Sequence, residues 1–272
     1  MPERVLERTA SVPAASLASH ARDGVRLAAL DRGAGDPPLL FLHGWCCDHR
    51  HFAPQIEHFA RRHRVVALDQ RGFGTSDRPA GEYTIETFAD DAAWLCGELG
   101  VRRPVVVGHS LGGAVALALA ARHPELPRAV ALCDPAVFVA SAGDGLREEL
   151  CAALAGAEYR SAAEEFIREF LFLPEDDAEL RERIVAEMCA TPQRVMLSAF
   201  RNLVAFDDEA AGRACGVPLL SIDAGAPFVD RAKLLAACPG AVLRATPGVG
   251  HFHQLLAPER VNALLEEFLA GL

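Results

Sequence analysis

Short apolar segments alternate with longer amphipathic or Ala/Leu-rich segments along most of the chain. The apolar segments are rich in Val, Leu and Ala, which is typical of strands buried on both faces of a sheet. They lie at 39–42, 64–68, 104–107, 129–133, 218–223 and 241–245. A weaker alternation at 24–30 predicts an edge strand, whereas residues 1–20 have little pattern and predict a partly ordered lead-in.

The segments between these strands predict helices. Thr84 is a good N-cap for a helix over 85–99. Other helices are predicted over 54–62, 230–237 and 258–269, and in the Ala/Leu-rich segment that ends before His123. Strands that alternate with helices in this way predict an α/β protein with a mostly parallel twisted sheet and helices on both faces.

The alternation stops in the middle of the chain. From 136 to 214 no segment resembles a strand, and helices are predicted near 144–156, 161–173, 176–190 and 192–206. We interpret 136–214 as an inserted helical cap. Residues 1–135 and 215–272 would then form the α/β core.

Composition limits the classes of function. A chain of 272 residues with 51% hydrophobic residues is long enough for one α/β domain with an insertion and a large core. The net charge of −10 does not provide the basic surface that binding to nucleic acid requires. The sequence leaves the oligomeric state open.

Nothing in the sequence predicts a membrane span or a signal peptide. The longest apolar run, 114–121, is far too short to cross a bilayer, and the start of the chain has no unbroken apolar stretch. The eight cysteines are scattered without the spacing of a disulfide framework, so we expect reduced thiols. These features together predict a cytoplasmic protein.

The strand at 104–107 and the helix after it are joined by a G-x-S-x-G turn from Gly108 to Gly112. Glycine at both ends of the turn leaves out Cβ atoms that would collide where the chain reverses so tightly. A serine in such a strand–turn–helix is pushed out at the carboxyl edge of the sheet, with the dipole of the following helix pointing at it. We therefore predict that Ser110 is a nucleophile.

Several motifs together resemble the α/β-hydrolase superfamily, in particular its small cap-bearing members. They are His43-Gly44-Trp45, the segment 69–79 with the pattern D-x-R-G-x-G-x-S-D-x-P, the turn 108–113 and Gly250-His251-Phe252. The resemblance covers nearly all of 24–270. It implies the α/β-hydrolase fold and a small-molecule substrate, and it says much less about which substrate.

The resemblance also implies roles for particular residues. His251 matches the position of the family's general base, whereas His253 is expected at the rim or early in a helix. The backbone N–H groups of Trp45 and Leu111 match the oxyanion donors. We also expect the Trp45 indole to form a wall of the acyl pocket.

The triad acid is where the chain departs from the commonest family pattern. Its usual position, after the seventh strand, falls on or near Pro227, which has no carboxylate. A minority of the superfamily has the acid after the sixth strand, where Asp134 stands. We favour Asp134, with Asp223 and Asp230 as the alternatives. The structural alternative for Asp134 is an Asp-Pro turn that only ends the strand, which is a common feature.

No metal or cofactor is predicted. The segment 46–51 (Cys-Cys-Asp-His-Arg-His) contains residue types that bind metals, but adjacent cysteines lack the usual ligand spacing and no second ligand pair stands elsewhere. The Asp69 turn is expected to be structural, because its aspartate and arginine can satisfy backbone groups of the loop.

These features predict a serine hydrolase that cleaves a small to medium, mostly apolar ester or lactone through an acyl-enzyme. One alternative is a cofactor-free dioxygenase of heteroaromatic substrates, which segment 44–50 resembles. Cys47, however, stands where such enzymes are expected to have a substrate-contacting histidine. A carbon–carbon bond hydrolase of aromatic degradation and a non-catalytic binding protein are further alternatives.

Overall fold

A single sheet of eight strands organises the computed structural model, which describes residues 16–140 and 144–272. The strands are β1 (Ser16–Arg22), β2 (Val25–Arg32), β3 (Leu39–Leu42), β4 (Val65–Asp69), β5 (Val105–His109), β6 (Ala129–Cys133), β7 (Leu219–Asp223) and β8 (Val242–Ala245). Their order across the sheet is β1-β2-β4-β3-β5-β6-β7-β8. β1 and β2 are antiparallel to their neighbours and all other pairs are parallel. The predicted α/β class and the mostly parallel sheet are confirmed.

Helices cover both faces of the sheet. They are α1 (Ala53–Phe59), α2 (Ile85–Glu98), α3 (Leu111–Arg122), α4 (Asp144–Leu154), α5 (Tyr159–Phe170), α6 (Ala178–Cys189), α7 (Gln193–Val204), α8 (Asp208–Ala214), α9 (Arg231–Ala237), α10 (His253–Leu256) and α11 (Pro258–Ala270). Alternate residues of the central strands point to opposite faces. Val106 thus lies in a core with α2 and α3, and Val105 in a second core with α1 and α11. As predicted, Thr84 caps α2 by accepting the backbone N–H of Thr87.

The predicted edge strand at 24–30 does not lie at the edge, because part of the expected lead-in 1–20 forms β1 on its outer side. β1 begins at Ser16 and pairs with β2 through a hairpin at Asp23-Gly24, whose φ angles are 50° and 81°. An Asp-Gly pair is a strong hairpin signal because both residues accept positive φ. That signal identifies the turn, although the segment before it has no clear alternation. Residues 1–15 lie outside the described part.

Helices α4 to α8 follow one another between β6 and β7, in the range interpreted as a cap. The first four agree closely with the predicted helices, whereas α8 was not predicted. α8 packs against α3 and α9, and a Cβ on its Gly212 would lie 3.0 Å from the Cβ of Ala237. α8 therefore lies among the helices of the sheet, and the limits of a separate cap stay a prediction.

The structure also bears on the predictions of reduced thiols and of no membrane span. All eight cysteines are free, and five of them are buried. Burial raises the pKa of Cys96 and of Cys133 to about 12, so these thiols are unreactive at neutral pH. Among the described residues, no helix has both the length and the apolar character needed to cross a membrane.

Candidate active site

Ser110 stands in a strained turn between β5 and α3. Its backbone has φ 53° and ψ −119°, a conformation that non-glycine residues seldom adopt. A Cβ on Gly108 would lie 2.2 Å from the carbonyl oxygen of Gly112, and one on Gly112 would lie 2.0 Å from that of Leu42. Only glycine fits at either position, which is the steric reason for the G-x-S-x-G spacing.

His251 lies in the loop between β8 and α10, with Asp134 beside it. The Nδ1 atom of His251 is 2.6 Å from Oδ2 of Asp134, and both side chains are buried. A carboxylate only accepts, so the proton lies on Nδ1 and leaves Nε2 free to act as a base. The other oxygen of Asp134 accepts the backbone N–H of Ala224 at 3.0 Å, which fixes the carboxylate in place.

The other two candidate acids are engaged elsewhere. Asp223, at the end of β7, accepts a hydrogen bond from Nε of Arg231 at 2.7 Å and one from the Ser221 hydroxyl at 3.3 Å. Asp230 caps α9 by accepting backbone N–H groups of that helix. Within the described chain, neither carboxylate has a hydrogen bond to His251. Asp134 is therefore the carboxylate that geometry pairs with His251.

His253 does not lie at a rim. It is the first residue of α10, which agrees with the expected early position in a helix. The side chain is fully buried, and its Nδ1 lies 2.7 Å from the Thr246 hydroxyl. Burial lowers the pKa of His253 to about 4, so the ring is neutral at physiological pH. His253 thus supports the loop from inside the core.

His109 contributes a contact that the sequence analysis did not identify. Its Nε2 donates to the backbone carbonyl of His251 at 3.0 Å, and the two ring centroids are 4.5 Å apart. Burial holds the pKa of His109 well below its usual range, so the ring acts as a neutral donor. The signal that could have found it is its place directly before Ser110, inside the tight turn.

The loop with the expected oxyanion donors passes close to the turn that contains Ser110. A Cβ on Gly44 would lie 2.9 Å from Nδ1 of His109 and 3.2 Å from the Cβ of Ser110. The His43 ring holds this loop, because its Nδ1 donates to the Gly44 carbonyl at 2.8 Å and its Nε2 accepts the Gln70 N–H at 3.0 Å. No acceptor in the described part of the chain pairs with the N–H of Trp45 or of Leu111.

The Trp45 side chain joins the core to the inserted helices. Its Nε1 donates to the Met196 carbonyl in α7 at 2.9 Å, and its ring packs against Phe166 and Phe200. This contact orients the indole as a wall of the cavity above Ser110.

Ser110 and His251 open into one mostly apolar cavity of about 80 Å³. A single water needs roughly 10–15 Å³ on this measure, so the cavity accepts a small organic group. Much of its wall comes from the inserted helices, including Phe166, Leu171, Met188, Phe200 and Leu203. Phe170, in the same helix as Phe166, is 40% exposed and stacks on the outer side of Phe166.

The family follows from the match of the chain to a family model. The model of the alpha/beta hydrolase fold matches residues 37–209, which is more than half of the chain. The protein belongs to the α/β hydrolase family. The resemblance carried by the sequence motifs is thereby confirmed.

This α/β hydrolase is similar to proteins with several activities. An esterase from Thermogutta terrifontis superposes with a TM-score of 0.80 at 26% identity, over 94% of this chain and 97% of the esterase. Est816, an N-acyl homoserine lactone degrading enzyme, superposes with a TM-score of 0.81 at 26% identity, over 92% of this chain and 100% of Est816. The acetyltransferase component of the acetoin cleaving system of Cupriavidus necator is 28% identical over 255 residues, which are 92% of this chain and 68% of that protein.

One group in this hydrolase has the residue types of a metal site. Asp48, His49 and Asp69 have ligand atoms within 4.8 Å of one another. Asp48 binds the Arg50 guanidinium, and Asp69 accepts backbone N–H groups of His49 and Thr75 at 2.9 Å each. Asp69 therefore ties the segment of His49 to that of Thr75, the structural role expected for this aspartate, whereas Arg71 pairs with the Asp91 carboxylate instead of backbone groups.

Proposed function

We propose that this α/β hydrolase is a serine hydrolase that cleaves a small to medium, mostly apolar carboxylic ester or lactone. The observation that carries the proposal is that Ser110 and His251 line one cavity while Asp134 holds Nδ1 of His251. A nucleophile, a base and an orienting carboxylate are the parts that acyl transfer through a serine ester requires.

In the first half of the reaction, Nε2 of His251 removes the Ser110 hydroxyl proton while Oγ attacks the substrate carbonyl carbon. The carbonyl electron pair moves onto oxygen, and the N–H groups of Trp45 and Leu111 stabilise the resulting oxyanion. When the tetrahedral intermediate collapses, the alcohol oxygen takes the proton from His251 and leaves. Ser110 then carries the acyl group as an ester.

In the second half, water takes the place of the alcohol. His251 removes a proton from the water, whose oxygen attacks the acyl carbon, and the same two N–H groups hold the second oxyanion. Collapse breaks the bond to Oγ, returns the proton to Ser110 and releases the carboxylic acid. Asp134 keeps the imidazole in the required tautomer through both halves.

The substrate class rests on the cavity and on the similar proteins. Aromatic and aliphatic side chains form most of the cavity wall, so burial of an apolar acyl or alcohol group is favourable there. The similar solved structures include an esterase and an enzyme that degrades N-acyl homoserine lactones. An esterase cleaves a carbonyl–oxygen bond, and the ring of an N-acyl homoserine lactone contains a bond of the same kind, which supports an ester or a lactone as the substrate.

A labelling and turnover experiment tests the proposal. A fluorophosphonate probe should label wild-type protein at Ser110, and p-nitrophenyl acetate, p-nitrophenyl butyrate and a set of lactones should be screened for turnover. Ser110→Ala should lose the label and reduce kcat by about 10⁴-fold or more. Undiminished ester turnover in Ser110→Ala would refute the proposal, and consumption of O₂ that survives this substitution would favour the oxygenase alternative.

A further inference from the structure

Arg147 differs from every other residue around the catalytic cavity. The other lining residues that the structure describes are apolar or uncharged, apart from the titratable groups of His109, His251 and Cys47. Arg147 lies in α4 and is half-buried. It therefore brings a permanent positive charge to a wall that is otherwise mostly hydrocarbon.

Among the side chains that the structure describes, no carboxylate forms an ion pair with Arg147. Half-buried arginines of the described residues such as Arg71 and Arg64 pair with a carboxylate, Arg71 with Asp91 and Arg64 with Asp31. Arg147 has no ion pair within 4.0 Å in the described residues. It has an electrostatic influence on Asp208, but an oxygen of that carboxylate accepts the backbone N–H of Phe138.

The position of Arg147 in its helix gives it no stabilising role. It is the fourth residue of α4 (Asp144–Leu154), and a cation in the first turn is unfavourable because the helix dipole is positive there. A cation in the first turn of a helix and against an apolar cavity, with no ion pair to the described side chains, is unfavourable in the free protein. An anion bound in the cavity would reverse each of these effects.

We propose that Arg147 binds a carboxylate of the substrate, so that the preferred ester or lactone has an apolar acyl part ending in a carboxylate. The inference rests on the proposed function, whose acyl site Arg147 shares. A guanidinium binds a carboxylate through two parallel N–H···O bonds. Few polar groups in the apolar wall compete with that contact.

Two p-nitrophenyl esters that differ only in charge test the substrate class. The mono-p-nitrophenyl ester of glutarate ends in a carboxylate, and the corresponding glutaramate ester ends in a neutral amide of the same shape. Wild-type protein should have the higher kcat/KM for the glutarate ester. Arg147→Gln should lower kcat/KM for that ester roughly 10- to 100-fold and leave the value for the glutaramate ester nearly unchanged.

Arg201→Gln is the matched control, because Arg201 is an exposed arginine of α7 that does not line the cavity. It should behave as wild type on both esters. Arg147→Lys should keep part of the preference, since an ammonium supplies charge without the paired geometry. Equal kcat/KM of wild type and Arg147→Gln on the glutarate ester would overturn the inference.

A binding measurement separates this inference from the proposed function. Glutarate should bind to wild-type protein in isothermal titration calorimetry, and its affinity should fall roughly 10-fold or more in Arg147→Gln. If no ester is turned over but glutarate binding depends on Arg147, the proposed function fails and the anion site stands. If esters are turned over but neither kinetics nor binding responds to Arg147, the anion site fails alone.

Discussion

The carboxylate of Asp176 accepts the backbone N–H of Gly250, with both carboxylate oxygens 3.1 Å from the nitrogen. Gly250 directly precedes His251, whose own N–H donates to the carbonyl of Leu171 at 3.0 Å. A Cβ at position 250 would lie 2.3 Å from Oδ2 of Asp176, so glycine is required for this approach. The segment between α5 and α6 thus holds the loop that contains the proposed base.

Replacing Asp176 by alanine should impair catalysis more than its distance from the chemistry suggests. The buried Gly250 N–H would lose its acceptor, which costs about 1–3 kcal/mol, and the loop of His251 would lose a positional restraint. We expect kcat to fall roughly 10-fold or more, while KM changes little. Ester kinetics and urea unfolding of the same preparation measure the two effects.

Asp177→Ala is the control for this prediction. Asp177 is the neighbouring residue and caps α6 by accepting the Leu180 N–H, so its loss costs about 1 kcal/mol of stability without touching the His251 loop. Its kcat should stay near the wild-type value. Equal losses of kcat in both variants would show that general destabilisation, and not the position of His251, is the cause.

Asp134→Asn should reduce kcat far more than the corresponding change at either alternative acid. Asparagine in place of Asp134 favours the wrong imidazole tautomer, which costs roughly 10⁴-fold in the serine-protease triad. Asp230→Asn should be nearly neutral, because asparagine caps a helix as well as aspartate does. Asp223→Asn should lower stability through its contact with Arg231 and change kcat only modestly. Steady-state ester kinetics of the three variants measure these losses. A larger loss of kcat in Asp223→Asn or Asp230→Asn than in Asp134→Asn would contradict the assignment of the acid.

The two phenylalanines of α5 form a matched pair for testing the inserted helices. Phe166 lines the cavity and Phe170 stacks on its outer side. Phe166→Ala should shift the preferred acyl length among p-nitrophenyl esters and barely change turnover of the acetate. Phe170→Ala should leave the preference as it is. If neither substitution changes chain-length preference, the inserted helices do not select the acyl group.

Stability should fall as the pH is lowered from 7 toward 4. The pKa of His253 is about 4 in the folded protein, below its unfolded value near 6.5, so in this window the unfolded chain binds a proton that the folded chain does not. His109, whose pKa burial also lowers, acts in the same direction. Each group contributes a slope of up to about 1.4 kcal/mol per pH unit.

Urea unfolding at pH 7, 6 and 5 measures this slope. His253→Asn keeps a donor near the Thr246 hydroxyl and removes the titrating ring, so its slope should be smaller than that of wild type. An identical slope in the variant would mean that carboxylates, and not His253, control the acid sensitivity.

The local sequence predicts much of the sheet because a strand buried on both faces must be apolar. The predicted strands at 39–42 and 129–133 match β3 and β6 residue for residue. β1 and α8 were not predicted, because an edge strand and a short peripheral helix are only partly buried and need no continuous apolar pattern. The positions of Asp176 and Phe170 could not be predicted, because each depends on how a helix of the insertion lies against the core.

The sequence by itself determined the α/β class, the family and the tight turn that contains Ser110, because apolar periodicity and short motifs are read from residues close in the chain. The tertiary structure alone decided which carboxylate meets His251. Asp134 and His251 are 117 residues apart, and they approach to 2.6 Å because parallel strands end at one edge of the sheet. Asp134 and Asp223 both stand at that edge, and only the packing of the loops distinguishes them. The cavity and the place of Arg147 in its wall were decided in the same way, by helices that fold over the sheet from a distant part of the chain.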